Sequence, residues 1–422
     1  MATEDNQKGA DSDLVSTVKR VHKAALELER TKGAHRSQGI ENMALELERA
    51  FDPILEANTL DLETSREMAV PELILNWLKL TPERLQKAIA ILHTLAELSD
   101  PIERLIDARY QLNPGQTYCQ RMPLGAIALI YEAFPELGAI AAGLCLKSGN
   151  SLILRGGSEA SHCNGEIVKA LQTALELTDL PSGCLEFLCP EEGSSIRDLV
   201  SLHQYINLVI PYGRPSLIQH TMECSTAPVL KSAMGNCYLY WGSSGDLNLV
   251  RETIVDSHQS EPDPVNAIEK VLISSERKSS LGTLFNSLKE KGFELRGDEG
   301  LVEEFPEHLT LAKKSEWGHP YLAKIVAFKE IDSLDKAIAW INQYSSGHGD
   351  CLVSESYQET RKFAMDIDSA LVYINSSPRF ERNPKGGNSV FLGMSNQKGN
   401  RRGLIGLETF TTIKQVVQGV DS

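Results

Sequence analysis

Positive charge is in short supply in this sequence: 42 Lys and Arg face 57 Asp and Glu, a net charge of -15 over 422 residues. Binding nucleic acid or anionic lipid takes basic patches that replace counterions, so the composition argues against both partners; a small metabolite in a local pocket remains open. Long hydrophobic runs are also missing. The longest, Leu137 to Leu146, is about half of the roughly 20 residues a spanning helix needs, and it reads as a buried helix. The acidic start "MATEDNQKGADSDL" shows neither a secretory apolar core nor a basic transit pattern, which points to a cytoplasmic protein. Eight cysteines are scattered without a C-x-x-C pair or zinc spacing. They read as reduced thiols with no metal site. What is present is an ordinary globular composition, 41% hydrophobic, in a chain longer than one core usually uses, so two or three domains are expected.

From Leu14 to Leu105 apolar residues recur at helical spacing, most clearly in "LTPERLQKAIAILHTLAEL". Thr81 is placed to cap that helix, with Pro82 at its first position. After the Pro-Gly turn in "QLNPGQTYCQRMPLGAIALIYEAFP", a short apolar strand covers Ala126 to Tyr131, and "SGNSLILRGGSEA" contains a buried strand at Leu152 to Leu154. Strand and helix signals then alternate through "INLVIPYG", "PSLIQHTME" and "GNCYLYW", and a second series starts near "VNAIEKVLIS". Apolar strands separated by helical segments imply a mostly parallel sheet with helices on both faces, an α/β fold. The spacing predicts a division close to Asp256. The end, "ETFTTIKQVVQGV", reads as an extended segment, an edge strand for a partner subunit to cover.

Two local features carry chemistry. Gly156 and Gly157 follow the Leu152–Leu154 strand and precede Ser158, a turn that can receive a phosphate on free amides or can simply allow close packing. Without G-x-G-x-x-G or Walker spacing it does not decide between them. In "SEPDPVNAIEKVLIS", Pro262 and Pro264 fix the chain just before an alternating apolar run, but the residue at the tip is Val265, which neither attacks nor donates.

Several stretches together, "MPLGAIALIYEAFP", "LCLKSGNSLILRGGSEA", "MGNCYLYW", "VNAIEKVLI", "YINSSPRF" and "GLETFTTIK", resemble the glutamate-5-phosphate reductases of proline biosynthesis, also called glutamate-5-semialdehyde dehydrogenases, of the aldehyde dehydrogenase superfamily. The resemblance runs from about residue 15 to 418. It implies a Rossmann-type cofactor domain over 15–107 and 124–256, an α/β catalytic-type domain over 257–400, and a small oligomerisation element from 108–123 and 401–422, hence a homo-oligomer with room for a hetero-partner. It also implies a reaction in which a cysteine attacks the acyl phosphate of L-glutamate 5-phosphate, phosphate leaves, and NADPH reduces the thioester. A thiolate suits that step because its thioester accepts hydride. On the cofactor side the resemblance assigns NADP(H) to Lys147 and to the turn Arg155, Gly156, Gly157, Ser158 and Glu159 beside it.

The reaction side departs from the family pattern. The nucleophile's position is Val265 and a nearby arginine has become Glu261. Phe134 and Glu136 replace an arginine and an asparagine, and a carboxylate at 136 is expected to oppose an oxyanion and a phosphorylated substrate. Lys231 replaces a glutamate, Tyr212 an arginine with Arg214 near enough to restore charge, Pro320 the glutamate expected to hold the nicotinamide ribose, and Phe391 a further glutamate. Asn266 and His348 are retained. Asn236 and Cys237 preserve a Gly-Asn-Cys in which the cysteine is not the nucleophile. The thiol best placed to substitute is Cys224, with His220 one helical turn upstream as its base. The expectation is a divergent homologue that keeps the scaffold and has lost cysteine-dependent reduction. The alternative is an active NADPH-dependent reductase with a relocated nucleophile.

Overall fold

The computed structural model describes residues 2–102, 104–107, 115–190, 195–232, 235–259, 265–384, 388–399 and 402–419. The chain forms two compact units, one from Met1–Ser232, Arg382–Gly393 and Leu404–Ser422, the other from Ala233–Glu381 and Met394–Gly403.

The first unit opens with five helices, α1 (Ala2–Leu28), α2 (Gly33–Arg49), α3 (Phe51–Glu67), α4 (Glu72–Leu78) and α5 (Pro82–Glu97). At α5 the expected cap is present: the Thr81 hydroxyl accepts from the Arg84 amide and Pro82 opens the helix. After β1 (Leu105–Asp107) and β2 (Gly115–Pro123) come β3 (Ala126–Tyr131), α6 (Pro135–Lys147), β4 (Ser151–Arg155), α7 (Ser161–Glu176), β5 (Leu185–Phe187), α8 (Ile196–Ser201), β6 (Leu208–Tyr212) and α9 (Pro215–Cys224). The order β5-β4-β3-β6 is parallel throughout. Every residue of β3 and of α6 is buried, which is why both read as continuous apolar runs without alternation.

The second unit holds a seven-stranded sheet, all parallel, in the order β10-β9-β11-β8-β7-β12-β13. Its elements run β7 (Cys237–Trp241), α10 (Leu247–Ser257), β8 (Ile268–Ser274), α11 (Leu281–Glu290), β9 (Glu294–Gly297), α12 (Glu299–Glu304), β10 (Thr310–Leu311), β11 (Ile325–Ile331), α13 (Leu334–Tyr344), β12 (Gly349–Val353), α14 (Tyr357–Asp366) and β13 (Leu371–Ile374). The division therefore falls at Ser232 and not near Asp256. The reason is β7: "CYLYW" belongs by its apolar pattern to either series, but its hydrogen bonds go to β8 and β12.

The chain ends with β14 (Phe391–Ser395), β15 (Gly403–Gly406) and β16 (Thr411–Gly419). As the sequence suggested, the terminal segment is extended; β16 pairs antiparallel with β2 over its whole length and sits at one edge of the sheet β1-β2-β16. Residues 108–114 of the expected oligomerisation element lie outside the described residues.

Candidate active site

In the second unit, the segment entering β8 carries the residues that the sequence placed at the reaction centre. Glu261, Pro262 and Pro264 lie outside the described residues. Val265 is 2% exposed. Its carbonyl accepts from the Gly235 amide at 2.9 Å and lies 3.9 Å from the Cys237 sulfur. A β-carbon at Gly235 would stand 2.3 Å from that carbonyl, so only glycine allows this approach. Cys237 is fully buried, and burial pushes its thiol well above the ordinary range, so it packs and does not attack.

The retained polar residues around Val265 are held by the chain itself. Asn236 donates its side-chain amide to the carbonyls of Trp317 and Tyr344 at 2.8 and 2.9 Å. His348 is buried, its Nδ1 2.9 Å from the Ser346 hydroxyl. Asn266, also buried, lies beside the Tyr373 phenol. Glu269 and Lys270 form a buried pair on β8 with 3.5 Å between charges. Burial raises the carboxyl and lowers the ammonium, and their mutual attraction opposes both shifts. Glu269 accepts the amides of Tyr321 and Leu322, while Lys270 stands 3.6 Å over the Tyr321 ring. Pro320, which has no amide to give, is carried in the loop that Glu269 clamps.

One buried group escaped the sequence reading. Asp350, on β12, accepts from the Tyr238 amide at 2.7 Å and from the hydroxyls of Ser345 and Ser369. Burial pushes its carboxyl up to about 6. The only signal for it was an acid directly after "SSGHG" at the start of an apolar strand, which also fits a turn.

In the first unit, the altered positions are repacked. Phe134 is fully buried, stacked on Trp77 at 5.0 Å and edge-on to Tyr212 at 5.4 Å. The Tyr212 hydroxyl receives the Arg382 guanidinium at 3.0 Å, and its ring fills the space over Gly393, where a β-carbon would lie 2.7 Å away. Phe391 opens β14 half-buried, its ring against Gly406. Lys231 is half-buried beside Ser232, which bridges to Tyr212.

The expectation that Glu136 acts as a free repelling charge is corrected. Its carboxylate, in the first turn of α6, takes three bonds from Arg84 at 2.6, 2.7 and 3.1 Å, with both side chains 6% exposed. Arg84 and the helix N-terminus together neutralise it. Arg214 restores no charge at Tyr212, since its side chain and backbone amide are both bonded to Glu132.

Two further assignments move. Lys147 ends α6, before β4 begins, whereas Gly156 follows where β4 ends. The five-residue strand separates them by about 17 Å. The Lys147 ammonium is bonded to the Ser37 hydroxyl and the Ala96 carbonyl at 2.7 and 3.0 Å, so it ties α6 to the helical layer and does not flank the turn. Cys224 does meet His220, sulfur to nitrogen 3.8 Å, but at the last residue of α9. Tyr212 and Glu132 sit at the other end of that helix, about 14 Å away along its axis. Cys224 is thus placed away from the Tyr212 and Glu132 end of its own helix.

The turn after β4 contains a carboxylate of its own. Glu159 folds back so that a β-carbon on Gly157 would lie 2.1 Å from its Oε1, and that oxygen accepts the Ala133 amide at 2.7 Å. Ala133 is held at φ 56 by this contact. Arg155 returns one guanidinium nitrogen to the Gly156 carbonyl at 2.9 Å. Beside the turn lies a cavity of about 370 Å³, lined by Ser158, Glu159, His162 and Arg214 among others. It opens at the carboxyl ends of β3, β4 and β6, where open parallel sheets bind nucleotides, and it has room for part of a dinucleotide.

A four-stranded parallel unit with a nucleotide-sized cavity at its strand ends, and a seven-stranded parallel unit carrying a glycine-backed turn at Val265, define an aldehyde dehydrogenase-like protein. Over 96% of its length the chain superposes on the crystal structure of a gamma-glutamyl phosphate reductase from Thermotoga maritima, with TM-score 0.87 and 33% identity over 98% of that chain. An acetylating aldehyde dehydrogenase from Geobacillus thermoglucosidasius, at 13% identity and TM-score 0.68 over 98% of each chain, shares the fold. Among curated sequences, gamma-glutamyl phosphate reductase 2 of a Synechocystis strain is 55% identical over 97% of this chain and 98% of its own. The Gloeobacter violaceus gamma-glutamyl phosphate reductase is 38% identical over 96% of each. No family model matches. The chain belongs to the gamma-glutamyl phosphate reductase family.

Proposed function

We propose that the chain reduces L-glutamate 5-phosphate to L-glutamate 5-semialdehyde, in proline biosynthesis, with a nicotinamide cofactor and without a covalent sulfur intermediate. The observation that carries the reading is the 55% identity, end to end, with a relative named for this reaction. Loss of the reaction, the expectation raised by Val265, has no support among the relatives. What Val265 and the sealed Cys237 remove is a thiol at the family's reaction centre, and with it the inherited thioester route. A nicotinamide, when bound, supplies the hydride. The turn Arg155, Gly156, Gly157 and Ser158 is where this chain would hold the adenosine end. The balanced step is then direct: a hydride adds to the acyl carbon, the carbon–oxygen bond to phosphate breaks with its electron pair leaving on phosphate, and the aldehyde remains.

Eight free cysteines support a reducing, cytoplasmic setting. No described helix is long and apolar enough to cross a membrane. The ribbon of β2 and β16, with Ile413 and Val417 half exposed, supports assembly through a second copy.

A second reading, a scaffold without turnover, is favoured by one observation: the aromatic packing of Phe134 and Tyr212 at positions where the family uses arginine. The reverse reaction separates the two. Purified protein is given the semialdehyde, phosphate and NAD or NADP, beside an authentic family member. The proposal expects reduced nicotinamide to form at a rate unaffected by thiol alkylation. No turnover while the control is active overturns it, and turnover abolished by Cys224→Ser overturns the sulfur-free route.

A further inference from the structure

In the second unit, the 318–322 loop is fixed by buried charge more than by apolar packing. Gly318 and His319 are exposed, and Pro320, Tyr321 and Leu322 are only half-buried. Beneath them lies the pair sealed on β8. Glu269, 2% exposed, accepts the Tyr321 amide at 2.5 Å and the Leu322 amide at 2.8 Å. Lys270, 0% exposed, donates to the His319 carbonyl at 3.3 Å and stands over the Tyr321 ring, with the Arg296 guanidinium 5.0 Å from the same ring. The Tyr321 hydroxyl donates to Glu316, which is also paired with Arg296. Leu322 is kept at φ 55, a left-handed conformation that leucine rarely adopts. Taking two charges out of water costs about as much as their attraction returns, so a buried pair is a poor source of stability. A strained residue held over such a pair points to a maintained position as its role.

The loop leads back to the turn at Val265. Just before it, the Trp317 carbonyl accepts from Asn236 Nδ2 at 2.8 Å and from the Tyr238 hydroxyl at 2.7 Å. Asn236 follows Gly235, whose amide holds the Val265 carbonyl at 2.9 Å. Every contact on this path lies within the second unit. We propose that Glu269 and Lys270 are positioning residues for the reduction: they set the 318–322 loop, and through Trp317 and Asn236 the loop sets the Val265 turn. Both side chains are sealed from solvent and act only through the loop. The inference rests on the reading that the chain reduces its substrate at that turn.

The test is the double variant Glu269→Gln with Lys270→Met in the full-length protein. It removes both charges together at similar volume, so neither is left buried and unpaired to unfold the chain. One loop amide loses its acceptor, because the glutamine oxygen replaces only one of two carboxylate oxygens. In the reverse reaction, with semialdehyde, phosphate and NAD or NADP, kcat is expected to fall about 10- to 100-fold while each KM stays within about twofold. The melting temperature should be unchanged or higher. Trypsin cleavage at Lys313, Lys314 and Lys324, which flank the loop and are exposed, should become about fivefold faster or more. A kcat within about threefold of the unaltered protein overturns the inference. So does a loss of activity matched by a loss of folded protein at the assay temperature, and so does unchanged cleavage. If the unaltered protein does not turn over, the proposed reaction falls and cleavage alone decides: faster cleavage retains the loop-setting role, and unchanged cleavage overturns it.

Discussion

The two units have absorbed their departures from the family pattern in opposite ways. In the first, three altered residues have acquired partners: Phe134 stacks with Trp77 and Tyr212, Tyr212 meets Arg382, and Glu136 is locked to Arg84. In the second, the frame around Val265 is intact. Gly235 still backs the carbonyl, Asn236 and His348 hold their loops, and Glu269 clamps the 319–322 segment. Compensated packing resists reversal, because undoing one member leaves the others without partners. Val265, one replacement inside a retained frame, is reversible in principle. The comparison therefore predicts large stability losses from single changes in the first unit and small ones at Val265.

The largest loss is expected at Arg84. Arg84→Met leaves Glu136 as an uncompensated buried charge and should destabilise the protein by about 3–5 kcal/mol in denaturant titration. Arg84→Met with Glu136→Gln should recover most of it. A loss under about 1 kcal/mol for the single variant would mean that the carboxylate is tolerated without its partner, and the contrast between the units would fail at its strongest point. Phe134→Ala comes next. It removes the centre of the aromatic stack and should lower stability by about 3–4 kcal/mol, whereas the family's residue, as Phe134→Arg, should do no better because it brings a charge between Trp77 and Tyr212.

Much of this contrast was legible in the sequence, but unevenly. The strands, the cap at Thr81 and the identity of the changed positions follow from patterns that act over a few residues. What they touch does not. Glu136 looked like a repelling charge because Arg84 lies 52 positions earlier, and only the packing of α5 on α6 brings them together. Lys147 and Gly156 looked adjacent because they are close in sequence, although a strand turns nine positions into opposite ends of a sheet. Cys224 and His220 do form the predicted contact, since that is local helix geometry, but the location of their helix end is not. The boundary at Ser232 was missed because a buried strand such as β7 carries no mark of which sheet it joins.

The second unit also holds a group whose effect depends on pH. His258 donates its Nε2–H to the Ile268 carbonyl at 2.9 Å from inside the core, and burial pushes its imidazole down to about 4. The folded state then binds fewer protons than the unfolded one between pH 4 and 6.5, so His258 contributes stability above pH 6.5 that is lost as the pH falls. Lowering the pH from 7 to 5 should remove about 2 kcal/mol through this residue. Asp350, raised to about 6, works in the opposite sense, gaining stability as pH falls through that value. Denaturant titrations at the two pH values should show a shallower acid loss in His258→Gln and a steeper one in Asp350→Asn. The same slope in all three proteins would remove both residues from the account.

Val265→Cys is the smallest change in stability and the sharpest test of the retained frame. The side chains are close in volume and the site is apolar, so less than about 1 kcal/mol should be lost. Reactivity should not follow automatically. A thiol 2% exposed as valine is now would have its pKa raised, unless donors at the turn favour the thiolate. If the frame still serves a nucleophile, the new cysteine should be alkylated faster than Cys237 and should raise the rate of semialdehyde oxidation. That outcome would place the loss of the thioester route in one residue. If Val265→Cys is stable, unreactive and without effect on rate, the frame has stopped serving that chemistry although its hydrogen bonds remain, and the repacked first unit becomes the place where the mechanism changed.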